Sequence, residues 1–161
     1  MRPMAKQTKT NVMRLLDGAK IAYTEHCYAD TGAVSGTDVA RVLGEPPEKV
    51  FKTLVTEGAT KEHYVFVVPV EKELDLKKAA RAVGEKSVAM IKAKELLPLT
   101  GYVHGGCSPI GMKKFFRTTV DVSAREQATV CVSAGRIGYQ VELAPADLER
   151  MIRLAYADIT V

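Results

Sequence analysis

The chain has 161 residues, a formal net charge of +4, 47% hydrophobic and 26% charged residues. That balance fits a soluble globule with one real core and excludes a disordered or fibrous chain. The densest apolar run, over residues 64–70, is far too short to span a bilayer, and the basic first twenty residues lack the apolar stretch of a secretory leader, so the expectation is a cytoplasmic protein with no membrane contact.

In chain order, Val12, Leu15 and Leu16 sit at helical spacing and predict a helix over about 6–16. Residues 21–23 read as a strand. Thr37 suits the N-cap of a short helix carrying Val39, Val42 and Leu43, and Gly44 closes it. Pro46-Pro47 predicts an extended link. Residues 50–55 and 64–70 read as two strands of a hairpin, with Glu57 to Lys61 as the loop. Asp75 suits the N-cap of a helix with Leu76, Ala79, Ala80 and Val83 on one face and Lys77, Lys78 and Arg81 on the other, ended by Gly84. Residues 87–91 suit a strand, and Lys94 to Leu97 a helical turn stopped by Pro98.

Beyond that, residues 118–122 read as a strand, and Ser123-Ala124-Arg125-Glu126 matches a capping box at a helix start. Residues 129–132 and 138–143 read as strands. Pro145 opens a helix whose apolar stripe is Leu148, Met151, Ile152 and Ala155. Helices and strands mix without regular βαβ alternation, and hairpins are frequent. The expected class is α+β: a single domain over 1–161, with a curved, mixed but largely antiparallel sheet or partial barrel and helices packed outside.

Cys27, Cys107 and Cys131 are odd in number and form no CxxC pair, which argues against a disulfide framework and against zinc. Their default role is that of small buried hydrophobes. With only three histidines, a His-rich metal site is not expected, and neither is any cofactor.

Lys52 stands out within the strand over 50–55. Alternation places it with Val50 and Leu54, and places Phe51, Thr53 and Val55 on the other face. Neither face is polar. A lysine there either lies at a rim, its stem along apolar surface, or projects into a cleft.

Two glycine-bearing loops bear on that choice. His104-Gly105-Gly106-Cys107-Ser108-Pro109-Ile110-Gly111 can present consecutive N–H groups to an anion. It is not a phosphate P-loop, since Met112 stands where a lysine is required. Ser133-Ala134-Gly135-Arg136-Ile137-Gly138 offers a hydroxyl, glycine amides and a guanidinium suited to phosphate. Each loop also reads as a plain structural turn. His104 and Cys107 lie too close in sequence, with no orienting carboxylate, to suggest a Cys–His dyad. Excess positive charge gathers in residues 1–20 and 72–94, which fits either a nucleic-acid partner or a solvated face.

Val50-Phe51-Lys52-Thr53-Leu54, Gly105-Gly106-Cys107-Ser108-Pro109-Ile110-Gly111 and Val132-Ser133-Ala134-Gly135-Arg136-Ile137-Gly138, in that order, resemble the YbaK/EbsC family. That family includes the Cys-tRNA(Pro) deacylase and is related to the editing insertion domain of bacterial prolyl-tRNA synthetases. The likeness runs from about Ile21 to Leu154. It implies removal of a mischarged amino acid from tRNA in trans, prolyl-tRNA synthetase as a transient partner, and no metal. Lys52 matches the family's functional lysine and is the catalytic candidate. Tyr28, Gly105, Gly106, Ser108, Ser133 and Arg136 are the substrate-binding candidates. Three positions depart from the family pattern: Ser35 stands where an aromatic residue is usual, Ile137 where a basic one is common, and Gln140 where an acidic one is.

For a cysteinyl ester the substrate's own thiolate can attack its carbonyl, as is proposed for the family, so no protein nucleophile is needed. The alternatives are an Ala-tRNA(Pro) deacylase of the same superfamily and a non-catalytic module that binds tRNA or another phosphate-rich ligand.

Overall fold

The structure is a computed structural model, and it describes residues 9–161. The start of the expected 6–16 helix lies outside that range. Thr10 caps the first helix, α1 (Asn11–Gly18), its hydroxyl accepting the Met13 N–H at 3.2 Å. Val12, Met13 and Leu16 are buried beneath it. The elements that follow are β1 (Thr24–Cys27), α2 (Gly36–Leu43), β2 (Phe51–Gly58), β3 (His63–Pro69), α3 (Leu76–Val83), β4 (Val88–Met90) and α4 (Ala93–Thr100). After them come β5 (Arg117–Asp121), β6 (Val130–Ser133), β7 (Tyr139–Leu143), α5 (Pro145–Met151) and β8 (Leu154–Ala157).

The strands form two sheets. The smaller has the order β1-β7-β6 and is antiparallel throughout. The larger has the order β4-β2-β3-β5-β8, antiparallel around β2 and parallel where β5 meets β3 and β8. A single parallel bridge between Val50 and Cys131 stitches the two at the root of β2. The α+β class and the mixed, mostly antiparallel pairing thus match the sequence reading.

The main core lies between the sheets. Phe51, Val55, Val65, Val67 and Val120 of the large sheet meet Val130, Val132, Val141 and Leu143 of the small one, with α1 at one end. The opposite face of the large sheet, Tyr64, Phe66 and Val68, is covered by Ala79, Ala80 and Val83 of α3. Phe66 is fully buried there, which contributes about 1.5–3 kcal/mol. No helix among the described residues is long and apolar enough to cross a membrane.

Several local expectations are corrected. Residues 21–23 are not a strand: the Ile21 N–H closes the turn after α1 on Leu16 O, and pairing begins at Thr24. Ser35 rather than Thr37 caps α2, its hydroxyl accepting the Asp38 N–H at 3.2 Å. Pro46 is extended, but Pro47–Lys49 forms a 3-10 turn. α4 runs through Pro98 to Thr100, because a short helix can forgo one N–H bond. The capping-box segment is only a 3-10 turn, Val122–Glu126, capped by Asp121 from outside the motif. Ala155 belongs to β8, not to the last helix. Leu76 is exposed instead of facing the core. Cys27 is exposed too, whereas Cys107 and Cys131 are buried as expected.

Candidate functional site

β4 pairs only with Thr56, Glu57 and Gly58, so the first half of β2 has one edge free of a strand partner. A cavity of about 670 Å³ opens along that edge, and both Lys52 and Thr53 line it. The register sets their directions. Lys52 is paired with Val68, which puts it on the α3 side of the sheet, and it is half-buried beside the edge that lacks a strand neighbour. Thr53 is paired with Val67 and faces the main core. Its hydroxyl is buried with no hydrogen-bond partner among the described residues.

The two glycine loops meet backbone to backbone on the far side of this cavity. A Cβ at Gly106 would sit 3.0 Å from the Ile137 nitrogen and 3.2 Å from the Arg136 carbonyl carbon. Gly105 holds φ at +90°, which a side chain would disfavour, and lines the cavity. Tyr102 wedges between the loops: its hydroxyl donates to Ile110 O, and its ring is 2.9 Å from where a Cβ at Gly135 would stand.

The amides divide by use. The Gly106 N–H donates to Val103 O at 2.9 Å and is spent inside the turn. The N–H groups of Gly105 and Cys107 donate to no described group, and both residues line the cavity. Ser133 lines it as well; its hydroxyl oxygen accepts the Gly135 N–H at 3.1 Å, leaving its own proton free to donate. Tyr28 contributes a wall, and burial raises its phenol above the ordinary value. Lys52, Tyr28, Gly105 and Ser133 are therefore brought together.

Gly106, Ser108 and Arg136 do not line the cavity. Ser108 is fully buried, its hydroxyl accepting the Ile110 N–H at 3.2 Å. Arg136 is exposed and lies over the Tyr139 ring at 5.6 Å.

Ser35 and Gln140, singled out as departures from the family pattern, also line the cavity, and so do Thr53 and Gly36, which the sequence did not mark. Gln140 is 3% exposed and its Oε1 has no partner among the described residues. The free N–H groups of a helix start suit an anion, and the Ser35 cap is the sequence feature that marks the start of α2. Part of the basic run, read as either a nucleic-acid contact or a solvated face, is ion-paired at the surface. Lys78 of α3 is held by Asp158 at 3.1 Å and by Thr160 O at 2.9 Å.

The thiol of Cys107 is buried beside the Thr100 hydroxyl, and burial pushes it up to about 12. It stays protonated at neutral pH and is a poor nucleophile. Alkylation of the folded protein at pH 7 should therefore label Cys27 alone, with Cys107 and Cys131 labelled only after denaturation; peptide mapping reads the result. Rapid native labelling of Cys107 would contradict its neutral, buried state.

With this geometry in place, comparison with known proteins becomes specific. The aminoacyl-tRNA editing domain family matches residues 31–151. The chain belongs to that family. The assigned Cys-tRNA(Pro)/Cys-tRNA(Cys) deacylase EbsC of Enterococcus faecalis is 44% identical over 155 residues, covering 96% of this chain and 94% of EbsC. The proline–tRNA ligase of Pelobacter propionicus is 29% identical over 97 residues, which is 60% of this chain and 17% of the ligase. Among solved structures, one described as a trans-editing enzyme for prolyl-tRNA synthetase superposes with a TM-score of 0.80 at 24% identity, over 96% of this chain and 99% of that one. At that identity the superposition establishes the editing-domain fold.

Proposed function

We propose that this editing domain acts in trans on mischarged tRNA and releases cysteine from Cys-tRNA(Pro). The observation that carries the reading is that Lys52, Gly105, Cys107 and Ser133 line one cavity, with the Gly105 and Cys107 N–H groups donating to no described group. The relation to EbsC over nearly the whole chain supports the substrate class. The related segments inside proline–tRNA ligases support prolyl-tRNA synthetase as a transient partner that hands over the tRNA.

The residues favour a substrate-assisted route. The cysteinyl thiolate attacks its own carbonyl carbon, the carbon–oxygen bond to the ribose breaks, and the ribose oxygen takes up a proton. Water then opens the strained thiolactone to free cysteine. The developing oxyanion falls to the Gly105 and Cys107 amides, where one donor is worth about 3–4 kcal/mol. Lys52 and the start of α2 take the terminal phosphate or the departing ribose oxygen. Proline has no thiol and is spared by its chemistry.

Incubation with Cys-tRNA(Pro), Ala-tRNA(Pro) and Pro-tRNA(Pro) tests the reading: cysteine is released and proline is not. Preferential release of alanine would identify an alanyl deacylase instead, and binding without release a non-catalytic module. Cys107→Ala keeps the amide and removes only a neutral thiol, so it should release cysteine within about threefold of the parent rate. A dead variant would move the nucleophile onto the protein.

A further inference from the structure

The small sheet has two unlike faces. Val130, Val132, Val141 and Leu143 enter the main core. On the other face, Cys131 stands opposite Glu142 and His26 opposite Gln140, so these four project together. Glu45 closes over them. Its backbone is fixed just past α2, where its N–H donates to Ala40 O at 2.9 Å. One ligand atom each from His26, Glu45, Cys131 and Glu142 lies within 4.8 Å of the others.

The Glu45 side chain is only 9% exposed. Both its oxygens lack a hydrogen-bond partner among the described residues, and the His26 imidazole, Nε2 at 3.5 Å, faces it. A carboxylate left so deep without partners carries a large desolvation penalty unless something else faces it.

We propose that His26 Nε2, Glu45, Cys131 Sγ and Glu142 Oε1 form a tetrahedral zinc site. The donor set of one imidazole, one thiolate and two carboxylates matches zinc. Tetrahedral bonds of about 2.0–2.3 Å place ligand atoms about 3.3–3.8 Å apart, so the more distant atoms must close in from within 4.8 Å while His26 Nε2 and Glu142 Oε1, now 2.7 Å apart, must separate. An outer shell is in place: Lys49 Nζ at 2.6 Å and the Thr129 hydroxyl at 2.5 Å hold Glu142 Oε2, while Oε1 is hydrogen-bonded to His26 Nε2 at 2.7 Å, a bond the ion would replace. The charges also close. Two carboxylates and a thiolate against Zn²⁺ leave one negative charge, which Lys49 neutralises. His26 and Glu142 keep partial solvent exposure, which provides an entry path. The ion would tie the 45–49 segment to β6, beside the Val50–Cys131 bridge and directly ahead of Lys52.

The full-length protein, stripped with chelator, is titrated with Zn²⁺ against a competing indicator and, separately, with Co²⁺. One equivalent of zinc should bind with sub-micromolar affinity and raise Tm by about 5 °C. Co²⁺ should give the intense visible bands of a tetrahedral site together with a near-ultraviolet thiolate charge-transfer band. Cys131→Ser should remove that band, Glu45→Gln should weaken zinc at least about tenfold, and Cys27→Ala should change neither. Absence of stoichiometric zinc, an octahedral Co²⁺ spectrum without the thiolate band, or loss of the band in Cys27→Ala would each overturn the site. The Co²⁺ spectrum of the unmutated chain decides the matter even if Cys131→Ser fails to fold.

Discussion

Lys52→Ala is expected to slow single-turnover release of cysteine from Cys-tRNA(Pro) by about 10²–10³-fold while Tm moves by less than about 3 °C. The two halves of that expectation have separate causes. Stability is spared because half-buried Lys52 makes no ion pair or side-chain hydrogen bond with any described residue, and the strand pairing of β2 runs through its backbone. Only packing of the aliphatic stem is lost. The rate suffers because Lys52 is a cation from β2 that lines the same cavity as Gly105 and Cys107, as Lys92 does beside α4. Removing a preorganised charge from a partly enclosed site costs far more than removing it from water. Lys52→Arg then separates its two candidate roles. If the ammonium holds phosphate, a guanidinium restores much of the rate, being a good phosphate ligand. If it protonates the departing ribose oxygen, arginine restores little, because its proton is too tightly held. Lys52→Ala with a rate within about threefold of the parent would reduce the cavity to a passive groove.

What could be read from the sequence followed the range of the interaction involved. Local chemistry was legible. Asp75 and Gly84 bound α3 as written, and Gly44 closes α2 with φ at +68°. The β2–β3 hairpin was visible because both strands are apolar runs flanking a turn. β8 was hidden because Leu154–Ala157 directly follows a helix and pairs parallel with the distant β5, leaving no hairpin signature. Within the site, Lys52 and both loops could be marked individually, but the divided use of the loop amides could not. That Gly106 spends its N–H on Val103 while Gly105 and Cys107 keep theirs depends on how the turn closes. Thr53 was assigned correctly to the face opposite Lys52, yet both line one cavity along the free edge of β2. The His26, Glu45, Cys131 and Glu142 cluster shows the same limit. Ligand spacing argued against zinc, yet residues from β1, the α2 exit, β6 and β7 meet only through sheet register.

Gly106→Ala should have a different signature from Lys52→Ala, lowering stability and activity together. Gly106 is not among the glycines with positive φ, so alanine can adopt its backbone conformation without the usual strain. The obstacle is space. The new Cβ would stand 3.0 Å from Ile137 N, 3.2 Å from Arg136 C and 3.3 Å from Arg136 Cα, all main-chain atoms that no rotamer change can move. The loops must part. Overpacking of this kind costs about 1–3 kcal/mol. Parting them also shifts the neighbouring Gly105 and Cys107 amides relative to Ser133, and misplacement by a fraction of an ångström at an oxyanion site is expected to cost about 10–100-fold in rate. Gly18→Ala is the matched control, since a Cβ there meets nothing within 4 Å, and it should leave both quantities unchanged. Thermal melts and single-turnover release measured side by side check the pair. A Gly106→Ala protein with parental Tm and rate would mean that the close approach of the two loops plays no part in holding the amides in place.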